Sequence, residues 1–140
     1  MRIALINPNT SDDITRSMVA IAARHTTGTV DGLTAPFGVH LITAPEALDR
    51  AAEAVMALLP RLAAHDGVIV AAFGDPGQAR LAERLLVPVV GIAEAAMAEA
   101  RASADRFAVV TTTPALVDRI GRRAADLGHA RAFAGTWVTP

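Results

Sequence analysis

Gly67-Val68-Ile69-Val70-Ala71-Ala72-Phe73-Gly74-Asp75-Pro76-Gly77 is the stretch that decides the fold. From Val68 to Ala72 it is continuously apolar, the character of a strand covered on both faces. From Phe73 to Gly77 it turns to loop chemistry, and the residues beyond have the composition of a helix reaching about Leu85. A strand buried from both sides needs helices above and below it. The rest of the chain supplies them.

Toward the N-terminus, Arg2 to Ile6 is a short β-type run ended by Asn7-Pro8-Asn9-Thr10-Ser11. From Asp12 to His25 apolar residues recur at Ile14, Met18, Ile21 and Ala22, the spacing of a helix. Gly28 to Ala35 is a weaker second strand. Thr43-Ala44-Pro45-Glu46 then has capping-box spacing ahead of an alanine-rich helix to Leu62. Toward the C-terminus, Val87 to Gly91 is a fourth strand whose Pro88 suits an edge or a strand start. Ile92 to Ser103 is a helix and Arg106 to Val110 a fifth strand. Pro114 to Leu127 is a helix closed by Gly128, and the segment His129 to Pro140 has room for one more short strand.

Strands alternating with helices along the chain predict an α/β fold, a parallel doubly wound sheet with flanking helices, because parallel neighbours need helical crossovers. Strand order is not legible in the pattern. If the fifth strand joins the others, five parallel strands make a flavodoxin-like layer; if not, the apolar faces of Ile92 to Ser103 and Phe107 to Val110 need another cover, and a dimer is expected.

Composition narrows the function classes. The 140 residues are 52% hydrophobic and 19% charged with a net charge of -1, which favours neither disorder nor a polyanion-binding surface. No nucleic-acid partner is expected. No apolar stretch reaches the ~18 residues of a membrane span, and the N-terminal residues do not read as a signal peptide, so the expected location is the cytoplasm. With no cysteine, the sequence has no disulfide, no thiolate nucleophile and no thiolate metal ligand. His25, His40, His65 and His129 form no cluster, and neither metal nor cofactor is expected. The spacing of Walker and dinucleotide loops is missing too.

In open parallel sheets ligands bind beyond the carboxyl ends of the strands. Three polar loops fall there: Asn7 to Ser11, Phe73 to Gly77 and Thr111 to Thr113. Each precedes an expected helix, whose free N–H groups and dipole favour an anion. Asn7 and Asn9 offer amide donors and acceptors, and Ser11 or Thr10 can equally be a plain cap. Asp75 followed by Pro76 reads best as an N-cap and first helical residue, with a catalytic carboxylate the weaker alternative. Among Thr111, Thr112 and Thr113, a strand or cap role and a carboxylate-binding role stand level.

Taken together, "INPNTS", "DGVIVAAFGDPG", "VPVVGIAEAAM" and "RFAVVTTT" resemble the aspartate/glutamate/hydantoin racemase superfamily, in its hydantoin and allantoin racemase branch. The blocks stand in the family's order and spacing from Arg2 to Thr113. The resemblance implies cofactor-independent racemisation next to a carbonyl, with two cysteines on opposite sides of the substrate, one from each of two lobes, removing and returning the α-proton. It further implies that Asn7, Asn9 and Ser11, with Phe73, Gly74, Asp75, Thr111 and Thr112, line the substrate site. The partner would be a small carboxylate, hydantoin or ureide.

Two departures matter. Ala72 occupies the position of the family's first cysteine, and residues 1–140 correspond to the first lobe, about 1–104, plus the start of the second, about 105–140. The expectation is therefore a single α/β domain of racemase descent that is inactive or nearly so. One alternative is a carboxylate- or ureide-binding or self-associating protein. Another is a decarboxylase-like member, since the arylmalonate decarboxylase branch also lacks the first-lobe cysteine.

Overall fold

The computed structural model describes residues 1–139. Strand β1 (Arg2–Asn7) leads into helix α1 (Asp12–Ala22), followed by β2 (Thr29–Thr34), α2 (Pro45–Ala57), β3 (Gly67–Val70), α3 (Gln78–Ala82), β4 (Val89–Gly91) and α4 (Ile92–Ser103). Then come β5 (Phe107–Thr111), α5 (Val117–Asp126) and β6 (Phe133–Val138). A four-stranded sheet has the order β2-β1-β3-β4, and every pairing in it is parallel. The doubly wound expectation holds.

Burial explains why these segments form strands. On one face, Ala4, Ile6, Leu33, Val68, Val70 and Val89 merge with Val55, Leu58, Leu62 and Leu81 into one buried cluster. Each fully buried aliphatic side chain there stabilises the fold by roughly 1.5–3 kcal/mol. On the other face, Leu5 stands in register with Gly32 and Ile69. There α1 comes so close that a Cβ on Gly32 would lie 2.7 Å from Thr15 and 2.8 Å from Val19. Only a glycine fits that approach.

The fifth strand does not join this sheet. It pairs in parallel with β6 in a separate two-stranded sheet, with a register shift between Phe107 and Val109. Phe107, Val109, Leu127 and Phe133 pack on a second cluster, built from Met97, Leu116, Ile120 and Ala124. Its opposite face stays open, leaving Val110 66% and Trp137 55% exposed. The five-stranded flavodoxin-like layer is thus replaced by two sheets, because the apolar residues of β5 find α5 and β6 rather than β4.

Local differences have local causes. β3 ends at Val70, not Ala72, since Ala72 already accepts the Asp75 N–H in a turn at 3.0 Å. Thr43 does not cap α2; Ala44 is the N-cap and Pro45 stands at the helix start, where a missing N–H costs nothing. The helix after Gly77 is five residues long, and its N-cap is Gly77 at φ 78°, not Asp75. Short 3-10 turns at Ala23–His25 and Leu59–Arg61 complete the segments read as continuous helices, and another at Pro114–Leu116 opens α5. β6 fills the tail as far as Val138, and Gly128 closes α5 at φ 81°. Pro140, the last residue of the expected domain, lies outside the described residues.

Candidate functional site

The loop after β1 is held together from within. Asn7 is 1% exposed; its Nδ2 donates to Asn9 Oδ1 at 2.8 Å, Ser11 O at 2.9 Å and Thr15 Oγ1 at 3.0 Å. Its Oδ1 accepts the Asn9 N–H at 3.1 Å, and Asn9 Oδ1 accepts the Ser11 N–H at 2.9 Å. Two backbone donors thereby fix the orientation of both amides. Ser11 Oγ caps α1 by accepting the Ile14 N–H at 3.3 Å. Asn7 and Ser11 are thus spent on the loop itself, whereas Asn9 keeps an amide nitrogen without a protein acceptor among the described residues.

The loop after β3 lies beside it. Ile6 is in register with Val70, and the Ala71 N–H donates to Ile6 O at 2.8 Å, so Ala71 and Ala72 continue alongside Asn7 and Pro8. Ala72 is half-buried and Phe73 leaves the first sheet to pack on the second cluster. Gly74 has φ 108°, which places its Cα where Leu48 would meet any Cβ at 3.1 Å. Phe73 also lines a cavity of about 210 Å³ with Val109, Thr111, Thr113, Leu116 and Ile120. That cavity joins the third loop to the second. There Thr111 Oγ1 and Thr113 Oγ1 are 2.7 Å apart, and the Thr113 N–H donates to Thr111 Oγ1 at 3.1 Å. Thr112 is exposed.

Asp75 has a different role from either one read in the sequence. It neither caps its own helix nor keeps a free oxygen. Its Oδ1 accepts the Ala93 N–H at 2.8 Å, and its Oδ2 accepts the Glu94 N–H at 2.9 Å and Arg123 Nε at 2.8 Å. The carboxylate therefore caps α4 across the fold and pairs with α5, its side chain 0% exposed and that of Arg123 16%. Gln78 extends the network: its Oε1 accepts from Arg123 at 3.2 Å, while its Nε2 donates to Val89 O at 2.9 Å and Glu94 at 3.2 Å. Nothing in the sequence links Asp75 to an arginine 48 positions on. The one available sign was three arginines, 119, 122 and 123, on one predicted helix.

The second ion pair of this region, Arg119 with Asp49, ties α5 to α2, and its hydrogen bonds hold the Asp49 carboxyl below its ordinary range. Of the histidines, His65 is buried and its Nε2 stands 3.0 Å from Asp31, while His129 packs edge-on against Phe107. Neither side chain hydrogen-bonds to a residue of the three loops among the described residues. The loops after β1 and β3 follow neighbouring parallel strands, Phe73 meets Thr111 and Thr113 across the cavity, and Ala72 beside it carries no ionisable side chain.

A parallel α/β sheet with its polar loops gathered at one end defines the class, and comparison with known proteins specifies it. The model of the family described as Asp/Glu/Hydantoin racemase matches residues 3–140, and the chain belongs to that family. It is 29% identical to a hydantoin racemase of Rhizobium meliloti over 94% of this chain and 56% of that protein. With a hydantoin racemase of Paenarthrobacter aurescens it shares 32% identity over 81% of this chain and 50% of that one. Among solved structures, allantoin racemase from Klebsiella pneumoniae superposes with a TM-score of 0.92 at 32% identity, covering 99% of this chain and 58% of that one. The chain thus spans about half the length of the curated relatives it matches.

Proposed function

We propose that these residues form the substrate-binding lobe of a hydantoin- or allantoin-type racemase, and that with Ala72 at the reacting position the lobe binds a small carboxylate, hydantoin or ureide without racemising it. The observation that carries the reading is that Ala71 runs on beside the end of β1, its N–H donating to Ile6 O at 2.8 Å, while Phe73, two residues on, lines a cavity with Thr111 and Thr113. Amide and hydroxyl donors suit a ring carbonyl or carboxylate, and Phe73 supplies an apolar wall. In this reading residues 1–104 are the first lobe and β5, α5 and β6 begin the second. The sequence matches to hydantoin racemases and the structural match to an allantoin racemase support the branch.

Ala72 sets the chemistry. An alanine methyl cannot accept or return a proton, and Asp75 is not free to substitute for it, since its oxygens are engaged by α4 and α5. The lobe therefore holds a substrate without a base at the reacting carbon. Titration of the 15N-labelled chain with allantoin and 5-methylhydantoin tests this. Amide shifts gathered at Asn9, Ala72 to Gly74 and Thr111 to Thr113 are expected; saturating shifts confined to other residues would overturn the reading.

A further inference from the structure

The loop that carries Ala72 is held from behind by a charged network. Asp75 is the one residue other than glycine with positive φ among the described residues, at 50°. Such a conformation persists where the surroundings over-determine it. They do so here from three elements: the Ala93 and Glu94 N–H groups at the start of α4, Arg123 on α5, and α2, whose Leu48 closes over Gly74. The chain even leaves room for the carboxylate, since a Cβ on Gly91 would fall 2.1 Å from the Asp75 Cγ.

The pair is tied to the candidate site from both ends, by the backbone of Asp75 and by the helix that carries Arg123. On the Asp75 side, the residue donates its N–H to Ala72 O at 3.0 Å, so the turn that presents Ala72, Phe73 and Gly74 closes on the residue that Arg123 grips. On the Arg123 side, the same helix carries Ile120, which lines the cavity with Phe73, Thr111 and Thr113. We infer that Asp75 and Arg123 are positioning residues. Their buried ion pair sets the loop from Ala72 to Gly74 against the Thr111–Thr113 turn, locking the four-stranded sheet to the β5–β6 sheet at the distance a ligand needs.

The pair acts through backbone placement, so its signature is in the loop. Arg123→Met keeps an unbranched apolar stem and removes the charged guanidinium fork. The amides of Ala72, Phe73 and Gly74 should then shift in a 15N spectrum. Where the ligand reading above also holds, on which this second readout rests, affinity for allantoin or 5-methylhydantoin should fall at least tenfold. Arg119→Met breaks the neighbouring pair with Asp49 on the same helix, and it should leave those amides and that affinity as they are. If Arg123→Met does not fold, Arg123→Lys replaces it, keeping the charge but giving up the reach to both Asp75 and Gln78.

Unmoved 72–74 amides in a folded Arg123 variant would overturn the inference, and so would equal displacement by Arg119→Met. If the wild-type chain binds neither probe, the ligand reading fails by itself, and the amide shifts still decide the positioning claim.

Discussion

Gly91 and Asp75, sixteen residues apart, occupy what would be a single volume if Gly91 had a side chain: its Cβ would lie 2.2 Å from the carboxylate Oδ1 of Asp75. The glycine at the end of β4 is there to admit a charge. Gly91→Ala should therefore displace the carboxylate from the Ala93 and Glu94 N–H groups and cost about 3 kcal/mol, at the upper end of ordinary overpacking. The shift in the urea midpoint measures it. A change below about 0.5 kcal/mol, typical of an uninvolved surface site, would show that the contact yields freely.

Asn7→Ala should destabilise by about 2 kcal/mol, because the Asn9 N–H and the Asn9, Ser11 and Thr15 oxygens lose a shared buried partner. Equilibrium denaturation gives the value. Were stability unchanged and only ligand affinity lost, Asn7 would belong to the binding surface instead.

Acid should weaken the fold. Hydrogen bonds from Arg2 to Asp31, from Arg119 to Asp49 and from Arg80 to Glu53 each hold the carboxyl below its ordinary value, 3.8 for the aspartates and 4.5 for the glutamate. A depressed folded-state pKa means that the contribution is present above the ordinary value and is lost as the pH falls through the lower one. The melting temperature should decline from just above pH 4.5 downward, more gently in the triple variant Asp31→Asn, Asp49→Asn, Glu53→Gln. Asp49 and Glu53 are exposed and Asp31 is partly so, so added salt should shrink the difference. Identical acid limbs for the two proteins would refute the assignment.

Self-association follows from the open face of the β5–β6 sheet, where the cross-strand pair Val110 and Trp137 is exposed. Sedimentation at rising concentration should show association, and Trp137→Lys should reduce it. As the single tryptophan in the sequence, Trp137 should also shift its emission to the blue as copies meet. A monomer at every concentration would remove the second copy from the proposed partners.

The sheet was legible because its signals are local. Continuous apolar runs at Leu5 and Val68 and turn chemistry at Asn7 and Phe73 mark the strands, and α4 was read to the residue, Ile92–Ser103. Asp75 was misread for the opposite reason. Its position before Pro76 is the sequence pattern of a local cap, but Gly77 can take the left-handed N-cap conformation and the carboxylate crosses to α4 and Arg123. The destination of β5 was equally illegible, since an apolar strand has the same pattern whichever sheet receives it. The family, by contrast, was carried by loop residues in order, from Asn7 through Gly77 to Thr113, which fold physics alone does not require.

α-Proton exchange in D2O, followed by NMR on allantoin and monosubstituted hydantoins, tests the central claim most directly: a racemase-family site whose reacting position holds Ala72. The wild-type chain is predicted to exchange no faster than the no-protein control, and Ala72→Cys, which restores a thiol there, is predicted to exceed it. Exchange by the wild-type chain above control would contradict the account and place the base on another residue.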